Sequence, residues 1–153
     1  EMYDQTNTSK SLLRALRASG DGGVLWMNGD VVFDPEVLRR VTALINTDES
    51  FVVVNHSSVA DEEVKYTLDA AGFVAELSKT VVGGLGEAVG INFVSNTDKQ
   101  ALIARLEQCA DNDYFERGIE SLRRLLVEKG VMTDAEIDAR MQDIAQTMAR
   151  VGR

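Results

Sequence analysis

Short apolar runs of strand length alternate with segments of helical spacing along the first half of the chain. Residues 24–27 and 51–54 are continuous apolar runs, which suit strands that are buried on both faces of a sheet. Between them, the apolar residues from 37 to 45 fall on one helical face, and those from 12 to 16 do the same. This alternation predicts an α/β fold with a mixed sheet.

Breaks in the pattern set the boundaries of these elements. Residues 19–23 are rich in glycine and end the first predicted helix. Pro35 follows Asp34, and this pair predicts the first turn of the next helix, with Asp34 as its N-cap. Residues 64–68 and 73–77 alternate around a loop that contains Gly72, which predicts an antiparallel hairpin.

The second half continues with one strand and then helices. Residues 88–94 predict a fifth strand after a loop over 80–86, and residues 98–109 predict an amphipathic helix. Residues 114–128 predict another helix. Thr133 to Glu136 has the spacing of a capping box, so residues 122–151 are interpreted as a helical hairpin that turns at Gly130.

Two units follow from this division. Residues 1–120 form the predicted α/β domain, and residues 121–153 form a helical hairpin that packs on it or extends it. A further hypothesis makes the hairpin a dimerisation arm, although leucine, isoleucine and methionine at helical spacing are more often ordinary core.

Charge and composition restrict the partners. The 153 residues carry a net charge of -9, which disfavours nucleic acid or an anionic membrane surface as the main partner. The single cysteine, Cys109, excludes an intrachain disulfide, and the single histidine, His56, excludes a histidine-rich metal site. No run approaches the ~18 apolar residues of a membrane span, and no secretory signal is present. We therefore expect a cytoplasmic protein.

The end of the first predicted strand is the most informative place for chemistry. Asn28-Gly29-Asp30 follows the apolar run 24–27 directly, so the Asp30 carboxylate stands at the carboxyl end of a strand, where open α/β sheets bind ligands. An aspartate there could hold a magnesium ion against a nucleotide phosphate. A simple turn is the alternative, because glycine and aspartate favour turns.

Three other segments lie before and after the Asn28–Pro35 motif in a recognisable order. Thr6-Asn7-Thr8 precedes the first helix, Asn28 to Pro35 forms the central motif, Phe73 to Lys79 is a strand ending in lysine, and Gly86 to Ile91 has the form Gly-Glu-x-x-Gly. In this order they resemble nucleotidyltransferases of the sugar-phosphate and phosphocholine type, and the resemblance implies a Rossmann-like sheet. The resemblance covers residues 1–120.

The resemblance implies a reaction and a role for each residue. A phosphorylated sugar or alcohol would attack the α-phosphorus of a nucleoside triphosphate, with Mg²⁺ as cofactor and pyrophosphate as leaving group. Asp30 would hold the metal, Lys79 would bind the acceptor's phosphate, and Asn28, Glu87 and Gly90 would belong to the substrate site.

Each of these roles has a structural alternative. Lys79 could be a solvated lysine at a strand end, Glu87 a loop carboxylate, and Gly90 the site of a strand bulge. The order of the four segments, rather than any one of them, favours the functional interpretation.

Two features depart from the pattern of that family. The 153 residues contain no glycine-rich loop ending in Arg and then Pro-Lys, the kind of loop that cradles phosphates. We therefore expect the chain to start after the family's first strands, which would leave the central strand with an open edge and invite pairing with a second copy.

The carboxyl-terminal end departs as well. Glu136-Ile137-Asp138 matches the triplet that carries the family's second metal ligand, but its spacing is helical, so Asp138 is only a weak metal candidate. Residues 125–141 also resemble the helical pair of nitrile-hydratase-type subunits, although no Cys-Ser-Cys metal motif accompanies them.

Two functions of different classes remain open at this stage. One is a nucleotidyltransferase, or the metal-binding and acceptor-binding part of one, incomplete as given. The other is a non-catalytic module that binds a ligand or a protein partner and associates with a second copy through the open strand edge or the carboxyl-terminal helices.

Overall fold

The regular structure of the protein comprises helices packed on both faces of one sheet. The computed structural model describes residues 7–56 and 62–119, and the backbone of residues 126–129. The helices are α1 (Thr8–Ala18), α2 (Pro35–Ile45), α3 (Asn96–Gln108) and α4 (Glu116–Ile119). The strands are β1 (Val24–Met27), β2 (Phe51–Asn55), β3 (Lys65–Leu68), β4 (Val74–Ser78), β5 (Glu87–Val94) and β6 (Leu126–Lys129).

The sheet is built around β5. Its strand order is β4-β3-β5-β2-β6, with β1 also paired to β5. The pairs of β5 with β1, β2 and β3 are antiparallel, whereas β2 and β6 are parallel. This mixed sheet with helices on both faces confirms the predicted α/β class.

One edge of β5 is shared by two strands. Asn92 lies opposite both Trp26 of β1 and Val52 of β2, and Glu87 lies opposite both Asn55 of β2 and Lys65 of β3. Because β2 runs along one edge, β1 and β3 must both occupy the other edge. They pair with opposite ends of β5, β1 with residues 91–94 and β3 with residue 87.

Alternate residues of β2 separate the core into two halves. Val52 and Val54 face α1, α3 and α4, while Phe51 and Val53 face α2. Phe51 also stacks on Phe93 of β5, with ring centroids 5.4 Å apart. These four residues are buried and Asn55 at the end of β2 is half-buried, as predicted for an apolar run covered on both faces.

Strand β1 differs from the prediction of burial on both faces. Its residues Val24, Leu25 and Trp26 are only half-buried, and Met27 is 44% exposed. Within the described ranges β1 pairs with β5 alone, so its outer edge gains no cover from another described strand. An unpaired edge of this kind is the feature from which pairing with a second chain was predicted.

The helix starts follow the capping residues in the sequence. The Asp34 carboxylate accepts a hydrogen bond from the Glu36 amide at 2.8 Å, which confirms it as the N-cap of α2. The hairpin β3–β4 is also confirmed: Gly72 adopts a φ of +88° in its turn, a conformation that glycine allows without a side-chain penalty.

The helix predicted over residues 114–128 is wrong. Of the described residues in this range, 116–119 are helical, and Leu126–Lys129 is a strand that pairs with β2. A short apolar run such as Leu125-Leu126-Val127 fits the pattern of a helix or of a strand. Pairing with the edge of β2 selects the strand. The remaining residues of the predicted 122–151 hairpin, with Gly130, the capping box and Asp138, lie outside the described ranges. The division at residue 120 stays a prediction.

Alkaline pH is expected to destabilise the protein through Tyr66. This side chain is completely buried, and its hydroxyl lies 3.1 Å from Nδ1 of His56. Burial raises the pKa of Tyr66, so the unfolded chain ionises first, at about pH 10. The stabilisation is therefore full below about pH 10 and is lost as the pH rises further. Urea unfolding of the wild type and Tyr66→Phe at pH 8 to 11 measures the loss of stability caused by ionisation of Tyr66. An equal loss in both proteins would contradict the role of Tyr66.

Candidate functional site

A cleft of about 690 Å³ opens beside β5, between the turn after β1 and the residues before β3. We call it the edge cleft. It is lined by residues 28–30 after β1, 62–64 before β3, Lys79 after β4, and 114–116 at the start of α4. Ala88, Gly90 and Asn92 of β5 contribute alternate positions, so one face of this strand forms part of its wall.

The turn after β1 carries Asp30 into the edge cleft. The Asn28 amide donates a hydrogen bond to the Gly90 carbonyl oxygen at 2.9 Å, which continues the pairing of β1 for one residue, and the Val31 amide donates to the Asn28 oxygen at 3.4 Å. Asp30 itself is exposed in the cleft, and no hydrogen bond or ion pair joins it to the residues the structure describes. The turn and the ligand interpretations are thus compatible, because the turn presents the carboxylate.

Lys79 enters the cleft from the end of β4. Its ammonium nitrogen lies 5.5 Å from the centroid of the Tyr114 ring, a distance at which a cation interacts favourably with an aromatic face. Lys79 and Tyr114 also line a second groove of about 690 Å³ beside the edge cleft. Lys79 is therefore held between two open spaces, at a position from which it can reach a bound anion.

Gly90 permits the close approach of β1 to β5. The register between β2 and β5 shifts here, so Gly90 lies in a bulge, and its φ is +78°. A Cβ at this position would lie 2.7 Å from Nδ2 of Asn28 and 3.0 Å from Cγ2 of Val31. The bulge alternative is thus confirmed, and the group that approaches Gly90 is the side chain of Asn28.

Gly90→Ala is expected to lower stability and to displace Asn28. The positive φ alone costs about 1–2 kcal/mol, and the contact with Asn28 adds about 1 kcal/mol. Gly72→Ala is the matched control, since Gly72 has φ +88° but nothing within 4 Å of its added Cβ. Urea unfolding of both variants separates the cost of the positive φ from the cost of the contact with Asn28. Equal losses in the two variants would contradict the role of the Asn28 contact.

The structure brings together four of the residues predicted from the sequence. Asn28, Asp30, Lys79 and Gly90 all line the edge cleft. Glu87 does not: it occupies the first position of β5, opposite Asn55 and Lys65.

Sequence reasoning missed other lining residues. Asn92, Tyr114 and Glu116 line the cleft beside the predicted residues. The available signal was Asn92, a polar residue within the apolar run from Ile91 to Val94. Tyr114 and Glu116 gave no comparable signal, because they follow α3 in an irregular segment.

The described charged residues of the edge cleft are mostly acidic. Asp30, Glu62, Glu63 and Glu116 line it with one described basic residue, Lys79. Within the described ranges no group of three acidic, histidine or cysteine residues could enclose a metal. An exposed single carboxylate nevertheless fits Mg²⁺, which keeps several waters and binds through one or two carboxylates plus substrate phosphates.

Comparison with solved structures identifies the fold. The inositol-1-phosphate CTP transferase from T. maritima superposes with a TM-score of 0.65 at 12% identity, over 82% of this chain and 52% of that protein. The chain has a nucleotidyltransferase-like fold. A putative glucose-1-phosphate thymidylyltransferase from Bacillus anthracis gives 0.62 at 11% identity, over 89% and 60%. A UDP-glucose pyrophosphorylase gives 0.61 at 12% identity, over 82% and 54%. The chain thus spans 52–60% of these nucleotidyltransferases.

Sequence comparison adds a different similarity. Residues 100–152 match the family described as nitrile hydratase beta subunit, N-terminal. This region starts within α3 and includes the segment that resembles nitrile-hydratase-type subunits. No curated protein matches the chain. The helices that the structure describes include none with the length and apolar composition needed to span a membrane.

Proposed function

We propose that the edge cleft serves nucleotidyl transfer from a nucleoside triphosphate to a phosphorylated sugar or alcohol. The observation that carries this proposal is the convergence of Asn28, Asp30, Lys79 and Gly90 on one cleft. These residues come from three separate segments of the chain, so local sequence does not require them to meet. The nucleotidyltransferase-like fold supports the same reaction class, and the names of two structural neighbours contain inositol 1-phosphate and glucose 1-phosphate.

The reaction requires positioning and charge neutralisation rather than a covalent intermediate. An oxygen of the acceptor's phosphate attacks the α-phosphorus, the bond from that phosphorus to the bridging oxygen breaks, and pyrophosphate leaves. Asp30 would hold Mg²⁺, which when bound neutralises phosphate charge. Lys79 would orient the acceptor's phosphate as a point charge, and the Asn28 side chain would donate a hydrogen bond to bound substrate.

In this proposal, phosphate binding needs both a metal ion and Lys79, because the lining of the edge cleft is mostly acidic. The acidic residues Asp30, Glu62, Glu63 and Glu116 would repel a phosphate group in the absence of a counter-charge. Lys79 supplies one positive charge and a divalent ion at Asp30 supplies two. Glu87 lies outside the lining, and we assign it no contact with substrate in this proposal.

Lys79→Gln is expected to weaken the binding of a hexose 1-phosphate by about tenfold. Charge-assisted hydrogen bonds contribute about 1.5–3 kcal/mol, and Lys79 is the described basic residue that reaches the cleft. Arg40→Gln is the control because it removes the same charge at another place. Arg40 is exposed on α2, which packs on the opposite face of the sheet. Calorimetric titration of both variants measures the effect. Equal affinity in Lys79→Gln and the wild type would remove Lys79 from the proposed site.

A second candidate is a binding module without turnover. The charges of the edge cleft favour it, because Lys79 is the one described basic residue there that could offset the charge of a leaving pyrophosphate. Such a module would bind the phosphorylated ligand at the edge cleft but release no pyrophosphate. A coupled assay for pyrophosphate, run with this chain and each nucleoside triphosphate, separates it from the enzyme.

A further inference from the structure

The inner end of the edge cleft holds an amide that lacks a hydrogen-bond partner. Asn92 lies on β5 with only 2% of its surface exposed, and it lines the cleft. Its Nδ2 atom is buried and makes no hydrogen bond with the residues described. A buried donor without a partner costs about 1–3 kcal/mol, so the protein maintains this polar group at the expense of stability.

The surroundings of Asn92 are largely apolar. Val52 and Trp26 lie opposite it on the neighbouring strands. The indole of Trp26 meets the Phe115 ring edge to face, with centroids 5.9 Å apart, and Phe115 is itself part of the cleft lining. Two neutral donors, Asn92 Nδ2 and the Trp26 indole nitrogen, are therefore buried without a described partner beside apolar and aromatic walls, an arrangement typical of sites that bind small molecules.

We infer that Asn92 donates a hydrogen bond to a neutral oxygen, a hydroxyl or a carbonyl, in the organic part of the phosphorylated acceptor. This inference rests on the proposed function and narrows its substrate class. It selects a polyol or sugar phosphate over choline phosphate, because a trimethylammonium group has no atom that can accept a hydrogen bond.

The charges around Asn92 exclude the other parts of the substrate from its position. A phosphate buried there would lack a cation, since the described basic residue of the cleft, Lys79, is exposed at its outer side. Recognition of a quaternary ammonium group typically uses open aromatic faces. The Tyr114 face is already taken by the Lys79 ammonium, and Phe115 is buried against Trp26.

The test compares Asn92→Leu with the wild type by calorimetric titration of three probes in Mg²⁺. These are glucose 1-phosphate, choline phosphate and inorganic phosphate. We expect the variant to bind glucose 1-phosphate about tenfold more weakly, which corresponds to about 1.4 kcal/mol, and to bind inorganic phosphate unchanged. The melting temperature without ligand should not fall, because the lost amide had no partner. Val94→Ala is the control: it alters a buried residue of the same strand that does not line the cleft.

A second variant keeps the test decisive if leucine disturbs the fold. Asn92→Ala removes the same donor without added bulk and should show the same selective loss. Unchanged glucose 1-phosphate affinity in these variants overturns the inference while the proposed function stands. An equal loss for inorganic phosphate, or stronger wild-type binding of choline phosphate than of glucose 1-phosphate, also overturns it. Failure of the wild type to bind any of the three probes overturns both.

Discussion

Asp30→Asn is expected to abolish Mg²⁺-dependent binding of a nucleoside triphosphate while leaving the fold intact. The asparagine side chain has the same shape but carries no charge, so it is a far weaker ligand for a hard cation. Asp30 is exposed and makes no described hydrogen bond or ion pair. The free energy of unfolding of the variant should therefore differ from that of the wild type by less than about 0.5 kcal/mol. Calorimetric titration in Mg²⁺, beside a melting curve of each protein, measures both effects.

Asp21→Asn is the matched control for this variant. Asp21 is an exposed carboxylate in the turn between α1 and β1 and does not line the edge cleft. It should leave nucleotide binding unchanged, because it removes the same charge at a distant position. If Asp30→Asn bound the nucleotide as well as Asp21→Asn does, the assignment of Asp30 to the metal would be wrong. Unfolding of Asp30→Asn would instead make its role structural.

Gly86→Ala is expected to destabilise the protein by about 3 kcal/mol or more. A Cβ at Gly86 would overlap the main-chain carbonyl oxygen of Asn55 and would lie 3.1 Å from Cε1 of Tyr66. The Gly86 carbonyl also accepts a hydrogen bond from the Tyr66 amide at 3.3 Å. Because a backbone atom of β2 blocks the added methyl group, a strand must move, and overpacking of this kind is costly.

Gly20→Ala provides the comparison for that loss. Nothing lies within 4 Å of a Cβ built on Gly20, and its φ is outside the left-handed region. Urea unfolding of both variants should show a large decrease for Gly86→Ala and a change within about 0.5 kcal/mol for Gly20→Ala. Similar stabilities would show that the chain relaxes around Gly86, and the close packing of β2 and β5 there would not be essential.

Local patterns predicted most of the described elements because local chemistry determines them. The Asp34-Pro35 pair fixes the start of α2, and Gly72 supplies the positive φ that the β3–β4 turn requires. The apolar run of β2 is buried as its composition indicates. These features depend on neighbours within a few residues, so they can be inferred from a single sequence.

Features that depend on pairing between distant segments were not predictable in the same way. Residues 126–129 had an apolar pattern that fits a helix or a strand, and pairing with β2 selects the strand. The half-burial of β1 depends on what lies along its outer edge. The sequence of β1 does not contain that information, since the same four residues could belong to a central or an edge strand.

In the candidate site too, local sequence predicted some residues, whereas their arrangement depends on pairing between distant segments. Asp30 and Lys79 could be predicted because each follows the end of a strand and belongs to an ordered set of motifs. Their convergence depends on the bulge at Gly90 and on β1 and β3 sharing one edge of β5. The contact between Lys79 and Tyr114 joins positions 79 and 114, and no local pattern links them.

The most direct test of the account is the melting temperature of this chain with Mg²⁺ and each nucleoside triphosphate in turn. A ligand at about 100 times its dissociation constant adds about 2.7 kcal/mol of stability, which raises the Tm of a chain of this size by roughly 5–10 °C. We predict a rise with at least one nucleotide that requires Mg²⁺ and disappears on chelation with EDTA. No rise with any nucleotide in the presence of Mg²⁺ would contradict nucleotide binding at the edge cleft.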